Sequence, residues 1–246
     1  MPGSSLWLVP PEDSALYRAC HRLITHHIPS LFPRAVPPPP LFTPHVTLTA
    51  DTVPSDLLSE PQEHEQEQGR EQEREQSSCS STEPAKSAKT WLDGLVLPPP
   101  NRDLKVAIQS VQVEGLFFRK LTMQCEKGPP LCELAARCRA AQGSAGLDGG
   151  EQEEDEAGKL QEVGKWVREC YRPHLSLMYS DLPEDEVRIK LDEVNSKIFQ
   201  AKQANPDSLT ANGGEIWLVP TYKPIEEWQP IAKREVPYGV QWEWQT

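Results

Sequence analysis

Apolar residues along this chain switch repeatedly between a period of two and a period near 3.6. SSLWLV at 4–9 predicts a strand. Residues 13–30 follow as a helix, opened by Asp13 and Ser14, with Leu16, Ala19, Cys20, Leu23, Ile24 and His27 at helical spacing. PPPP at 37–40 breaks the chain before a strand at 45–49, and a short helix is expected around 90–95. Residues 105–114 and 116–125 are rich in β-branched and aromatic side chains and flank Gly115, which predicts a hairpin. Helices are predicted at 131–142 and 159–170, then a strand at 174–179. A long amphipathic helix should cover 183–203, with Pro183 near its start and acids in its first turn. Strands at 214–220 and 228–235 close the series. The pattern is mixed α+β.

Composition changes this picture in two places. Only 37% of the 246 residues are hydrophobic, so part of the chain is expected outside the core. The formal net charge of −12 is concentrated in two stretches. Residues 54–90 carry nine acids against four bases, and residues 148–158 carry six acids and no base. The first includes EHEQEQGREQEREQSSCSST, a low-complexity run without apolar periodicity, read as a disordered acidic insert over 54–90. The second, SAGLDGGEQEEDEAG, reads as a Gly-rich acidic loop over 144–158. The remaining core is nearly neutral. It suits a small phosphate ester and lacks the basic surface that would hold a long polynucleotide, so no stable nucleic-acid binding is expected.

Other classes are disfavoured. No stretch approaches the roughly 18 apolar residues of a membrane helix. The start, MPGSSLWLVPPEDS, has neither a basic region nor a signal-length apolar run, so secretion is not expected. Cysteines 20, 79, 125, 132, 138 and 170 form no Cys-x-x-Cys pair and are read as mostly free thiols. Neither an HExxH-like helix nor clustered core carboxylates signal a metal, and no cofactor is expected.

Two internal echoes carry the chemistry. LFTPHVTL (41–48) and CYRPHLSL (170–177) share aromatic-x-Pro-His-aliphatic-hydroxyl-Leu, and LWLVP (6–10) recurs as IWLVP (216–220). Repeats near both ends of a chain suggest two similar lobes, each bringing one histidine segment to a shared cleft. On a strand, His45 and Thr47 project from one face, as do His174 and Ser176, while Val46, Leu48, Leu175 and Leu177 face the core. Two imidazoles and two hydroxyls around one spot suit cleavage of a phosphodiester without a metal. A neutral imidazole takes a proton from water, a protonated one gives a proton to the leaving oxygen, and the hydroxyls donate to the phosphate oxygens. Which histidine is acid and which is base is left open by the residues, as is the choice of 2′ or 3′ product. A lone His-x-Thr is ordinary strand vocabulary; the matched pair is what singles these out. His21, His26, His27 and His64 lie on the first helix or in the insert and are read as non-catalytic.

The segments HVTL (45–48) and HLSL (174–177) resemble those of the two-histidine phosphoesterase superfamily. LWLVPP, FTPHVTLT, FFRKLTMQC and RPHLSLMYSD look like their counterparts in its fungal and plant cyclic phosphodiesterase branch. That resemblance implies a single bilobed domain over 1–246, with a groove between two antiparallel sheets. It implies opening of 2′,3′-cyclic nucleotides to 2′-phosphates and of ADP-ribose 1″,2″-cyclic phosphate to the 1″-phosphate, in the disposal of tRNA-splicing by-products. It also implies His45 and His174 as proton donor and acceptor, Thr47 and Ser176 as phosphate-binding hydroxyls, and Tyr179 as a substrate contact. A monomer is expected, cytoplasmic or peripheral to the Golgi. Two other readings remain: an RNA-directed relative (a 2′,5′-RNA ligase or 3′-end exonuclease) and a non-catalytic nucleotide-binding module.

Overall fold

A computed structural model describes residues 3–52, 83–99, 104–141, 153–236 and 239–245. Strand β1 (Ser4–Val9) is buried throughout and lies inside the sheet, with a strand on either side. Helix α1 (Ala15–Arg22) begins where the Ser14 hydroxyl accepts the Tyr17 N–H. It continues through a π-helical turn (Leu23–His27), and Leu16, Cys20, Leu23, Ile24 and Ile28 form one buried stripe. β2 (Val46–Thr52) follows the proline-rich segment.

Helix α2 (Glu83–Asp93) starts earlier than the predicted 90–95 and reaches into the stretch read as an insert. Ala88 and Leu92, one turn apart and buried, anchor it against the sheet. Arg234 then donates from Nη1 to the carbonyls of Leu92 and Leu95 at its end. β3 (Leu104–Val113) and β4 (Leu121–Cys125) form the expected hairpin, joined through a 3₁₀ turn at Phe117–Arg119. After α3 (Pro129–Ala140), α4 (Glu153–Glu169) begins six residues before its predicted start. Glu153, Glu154, Asp155 and Glu156 fall in its first turn, where the helix dipole favours negative charge. The rest of both acidic stretches, and Cys79 and His64 within the first, lie outside the described residues.

β5 (His174–Met178) precedes the long amphipathic segment, which divides into α5 (Glu184–Ile189) and α6 (Leu191–Ala204) where Lys190 leaves helical geometry. Then come β6 (Thr210–Asn212), β7 (Glu215–Val219), β8 (Ala232–Glu235) and β9 (Val240–Trp244). β9 was not anticipated, although Val240, Trp242 and Trp244 alternate as buried residues with Gln241 and Glu243.

The fold is α+β, but the two separate antiparallel sheets that the resemblance implies are instead one sheet of nine strands, ordered β6-β9-β3-β4-β5-β2-β1-β7-β8. It is continuous because β2 and β5 pair with each other, and mixed because β9 runs parallel to β3. The sheet curls: edge strand β6 passes through Gly213 and Gly214 directly into β7, next to the opposite edge. Both glycines have positive φ, and a Cβ on Gly214 would stand 2.9 Å from the Val9 carbonyl oxygen. The second echo also reads differently in three dimensions. LWLVP and IWLVP do not mark separate lobes; they lie in adjacent strands β1 and β7, with Trp7 opposite Trp217.

Candidate active site

The two histidine segments meet in the middle of the sheet. Antiparallel pairing of Val46 with Leu175 puts His45 across from Ser176 and Thr47 across from His174 on one face. Val46, Leu48, Leu175 and Leu177 turn to the other face and are buried. Carrying register outward adds neighbours that sequence reasoning missed. Trp7 of β1 lies opposite Thr47, and on β4 Thr122 lies opposite Ser176 and Gln124 opposite His174. Gln124 donates from Nε2 to the Thr122 hydroxyl at 2.8 Å. These residues occupy alternate positions of segments already read as strands, but only the pairing shows which strands adjoin.

Each histidine is held the same way. His45 donates from Nδ1 to the Thr43 carbonyl at 2.6 Å, and His174 donates from Nδ1 to the Arg172 carbonyl at 2.7 Å. A carbonyl only accepts, so the proton of each neutral ring sits on Nδ1, leaving Nε2 with its lone pair. The prolines account for the shared geometry. Pro44 and Pro173 bias the residue before them, Thr43 or Arg172, towards extended backbone, and that residue's carbonyl accepts from the imidazole.

Their surroundings differ. His45 is buried, its ring stacked on Trp7 at 3.6 Å with an interplanar angle of 7°, with Phe42 edge-on at 6.2 Å. Burial pushes its pKa down to about 3; the Thr43 carbonyl opposes this, and nearby His174 adds to it. The His174 pKa is also lowered, first by burial and then by Arg119, against the raising influence of the Arg172 carbonyl and Glu114. Glu114 and Arg119 form an ion pair of 2.7 Å across the β3–β4 connection.

The hydroxyls differ too. Thr47 is half-buried, and no described residue takes a hydrogen bond from it. Ser176 is buried and donates to the Phe118 carbonyl at 3.3 Å. Tyr179 is buried, stacks on Phe42 at 3.9 Å, meets Phe118 edge-on at 5.3 Å, and has its phenol near the Ser176 side chain. Burial raises its phenol pKa. All five residues singled out from the sequence therefore lie in one neighbourhood. His21 and His26 line a neighbouring cavity of ≈ 390 Å³ together with Trp7 and Phe42. Among the described residues, no three His, Cys, Asp or Glu side chains cluster as a metal site, and no helix is long and apolar enough to cross a membrane.

Residues 1–236 match the profile of the cyclic phosphodiesterase-like protein family. The chain belongs to that family. Fungal relatives span nearly the same length as this cyclic phosphodiesterase-like chain. A Phaeosphaeria nodorum protein is 32% identical over 96% of this chain and 100% of its own. A Neurospora crassa protein is 29% identical over 95% of this chain and 99% of its own. A Saccharomyces cerevisiae protein is 22% identical over 94% of this chain and 99% of its own. All three carry the name 2′,3′-cyclic-nucleotide 3′-phosphodiesterase.

Proposed function

We propose that this protein hydrolyses 2′,3′-cyclic nucleotides to nucleoside 2′-phosphates, with His45 and His174 as the acid–base pair. The observation that carries the reading is the cross-strand arrangement of two imidazoles and two hydroxyls, each imidazole with Nδ1 tied to a carbonyl and Nε2 available. The names of the fungal relatives supply the substrate class.

In this mechanism His45, the more deeply buried ring with no carboxylate acting on it, is the base. Its Nε2 takes a proton as water attacks phosphorus. The P–O3′ bond breaks, His174 Nε2 protonates the departing 3′-oxygen, and the phosphate stays on O2′. In the free site burial and Arg119 lower the His174 pKa against the Arg172 carbonyl and Glu114, so its proton is taken up with the anionic substrate. Both imidazoles are neutral in the free site near pH 7, so the negative charge of the substrate's phosphate raises their proton affinity on binding. Thr47 donates to one non-bridging oxygen, and the Ser176 hydroxyl turns from the Phe118 carbonyl to donate to the other when substrate binds. The two sheet halves that meet at β2 and β5 act as the two lobes, each contributing one histidine strand. The cavity that Trp7, Phe42 and Trp228 help to line has room for the nucleoside portion.

ADP-ribose 1″,2″-cyclic phosphate, as a by-product of tRNA splicing, is a second substrate of the same site, in a cytoplasmic or Golgi-associated monomer. The nearly neutral core argues against a polynucleotide substrate. The test is hydrolysis of 2′,3′-cyclic AMP in excess EDTA, with products resolved as 2′- or 3′-AMP. The expected result is EDTA-resistant 2′-AMP formation that falls at least about 10²-fold in both His45→Ala and His174→Ala, but not in His26→Ala. An inert wild type, or turnover abolished by EDTA, overturns the proposal.

A further inference from the structure

The 3₁₀ turn Phe117–Arg119 is bolted onto the histidine strand. The Phe118 carbonyl accepts the Ser176 hydroxyl, and the Phe117 carbonyl accepts the Ser180 N–H at 3.2 Å. The Glu114 N–H donates to the Lys120 carbonyl at 3.2 Å and closes the connection from β3 into β4. Arg119 is therefore held in fixed relation to Ser176 and His174. Its Nη2 is committed to Glu114 at 2.7 Å, yet its buried Nε has no partner among the described residues.

Native proteins rarely leave a buried donor unpaired, and this one belongs to a group charged at every physiological pH. The deficiency coincides with a need. Two neutral imidazoles and two hydroxyls carry no positive charge, whereas the phosphodiester arrives as an anion. Arg119 is close enough to depress the His174 pKa. The geometry points to Arg119 as a phosphate-binding residue: its partly exposed side chain turns so that the Nε–H, covered and unpaired in the free protein, donates to a non-bridging oxygen while Glu114 holds the guanidinium through Nη2. The inference rests on the proposed function for the substrate, but the anion contact can be read without turnover. The charged groups acting on His174 are Arg119 and Glu114 from the β3–β4 connection, with His45 near it from the residue just before β2.

The experiment compares wild type with Arg119→Met and Arg119→Lys in two measurements, with thermal unfolding to confirm the fold. The first is binding of inorganic phosphate, followed by tryptophan fluorescence. The second is hydrolysis of the separated Rp and Sp diastereomers of adenosine 2′,3′-cyclic phosphorothioate, which place sulfur at one non-bridging position or the other. Arg119→Met is expected to weaken phosphate binding at least about tenfold and to bring the Rp and Sp rates together. Arg119→Lys should recover part of the phosphate affinity through its charge, but not the diastereomer preference, because it lacks the guanidinium fork. If Arg119→Met fails to fold, the lost preference in Arg119→Lys carries the test. Unchanged phosphate affinity, or equal slowing of both diastereomers with their ratio kept, overturns the assignment. A wild type that binds phosphate through Arg119 but hydrolyses neither diastereomer supports the contact and overturns the proposed function.

Discussion

The Trp7 indole lies flat against the His45 imidazole, 3.6 Å between ring centroids and 7° from parallel. Trp7 sits on β1 opposite Thr47, so the strand beside the histidine strand supplies the wall that dries it. The stack does two things. It fixes the plane of a ring already tied to the Thr43 carbonyl, and it removes water from one whole face.

Opening that face should therefore change chemistry before it changes binding. Trp7→Phe keeps an aromatic wall but uncovers part of the imidazole. The expected result is a fall in kcat of about tenfold, with KM moving less. Water reaching the ring weakens the desolvation that depresses its pKa, so the His45 titration should move up from about 3. Titration of the His45 ring resonances by NMR checks this. A kcat equal to wild type would remove Trp7 from the mechanism.

The pH profile follows from the same environments. If His174 is the acid, kcat/KM must fall as pH rises through its pKa, which lies below the ordinary histidine value. The alkaline limb of kcat/KM is expected below about pH 6.5. Bound phosphate raises that pKa, so the alkaline limb of kcat should lie at higher pH than that of kcat/KM. Steady-state kinetics from pH 4 to 9 resolves the two limbs. Coincident limbs would mean that substrate charge does not act on His174.

Much of this site was legible in the sequence because its motif is local. Proline, histidine and hydroxyl at fixed offsets determine which side chains share a face and which carbonyl lies within reach of Nδ1. The strand–helix order was legible for the same reason, as with the buried stripe of α1. What escaped is what pairing decides. Trp7, Thr122, Gln124 and Arg119 belong to the site only because β1 adjoins β2 and β4 adjoins β5. The shape of the sheet depends in turn on β9 settling parallel to β3, a partner distant in sequence. The early start of α4 was hidden for another reason: its first turn is acidic and offers no apolar periodicity, only charge suited to the helix dipole.

Stability should depend on pH through His45. Its folded-state pKa of about 3 lies below the unfolded value near 6.5, so between those values the unfolded chain binds more protons. The stabilisation is complete above about pH 6.5 and is lost as pH falls towards 3. By pH 5 the loss from this group alone is about 2 kcal/mol. His21, His27 and His174, all lowered, act in the same direction. Urea unfolding at pH 7 and pH 5 measures the effect, and His45→Gln should show a smaller difference between the two. An equal difference in wild type and variant would mean that His45 is already accessible to protons in the fold.

The two hydroxyls should separate binding from structure. Thr47→Val preserves shape and removes a hydroxyl that no described residue accepts from, so folding stability should stay within about 0.5 kcal/mol of wild type. If that hydroxyl donates to phosphate, kcat/KM should still fall about tenfold or more. Ser176→Ala is different, because the Ser176 hydroxyl donates to the Phe118 carbonyl and meets the Tyr179 phenol. It should cost roughly 1–3 kcal/mol of stability by leaving those groups unsatisfied, in addition to its loss in rate. Tyr179→Phe keeps the stack on Phe42 and frees only the Ser176 side of the contact. It should reproduce part of the Ser176→Ala rate loss with little of its destabilisation. Thermal melts and kcat/KM for the three variants decide the matter: an inactive but stable Thr47→Val fits a phosphate donor, and a fully active one leaves Thr47 no role in the reaction.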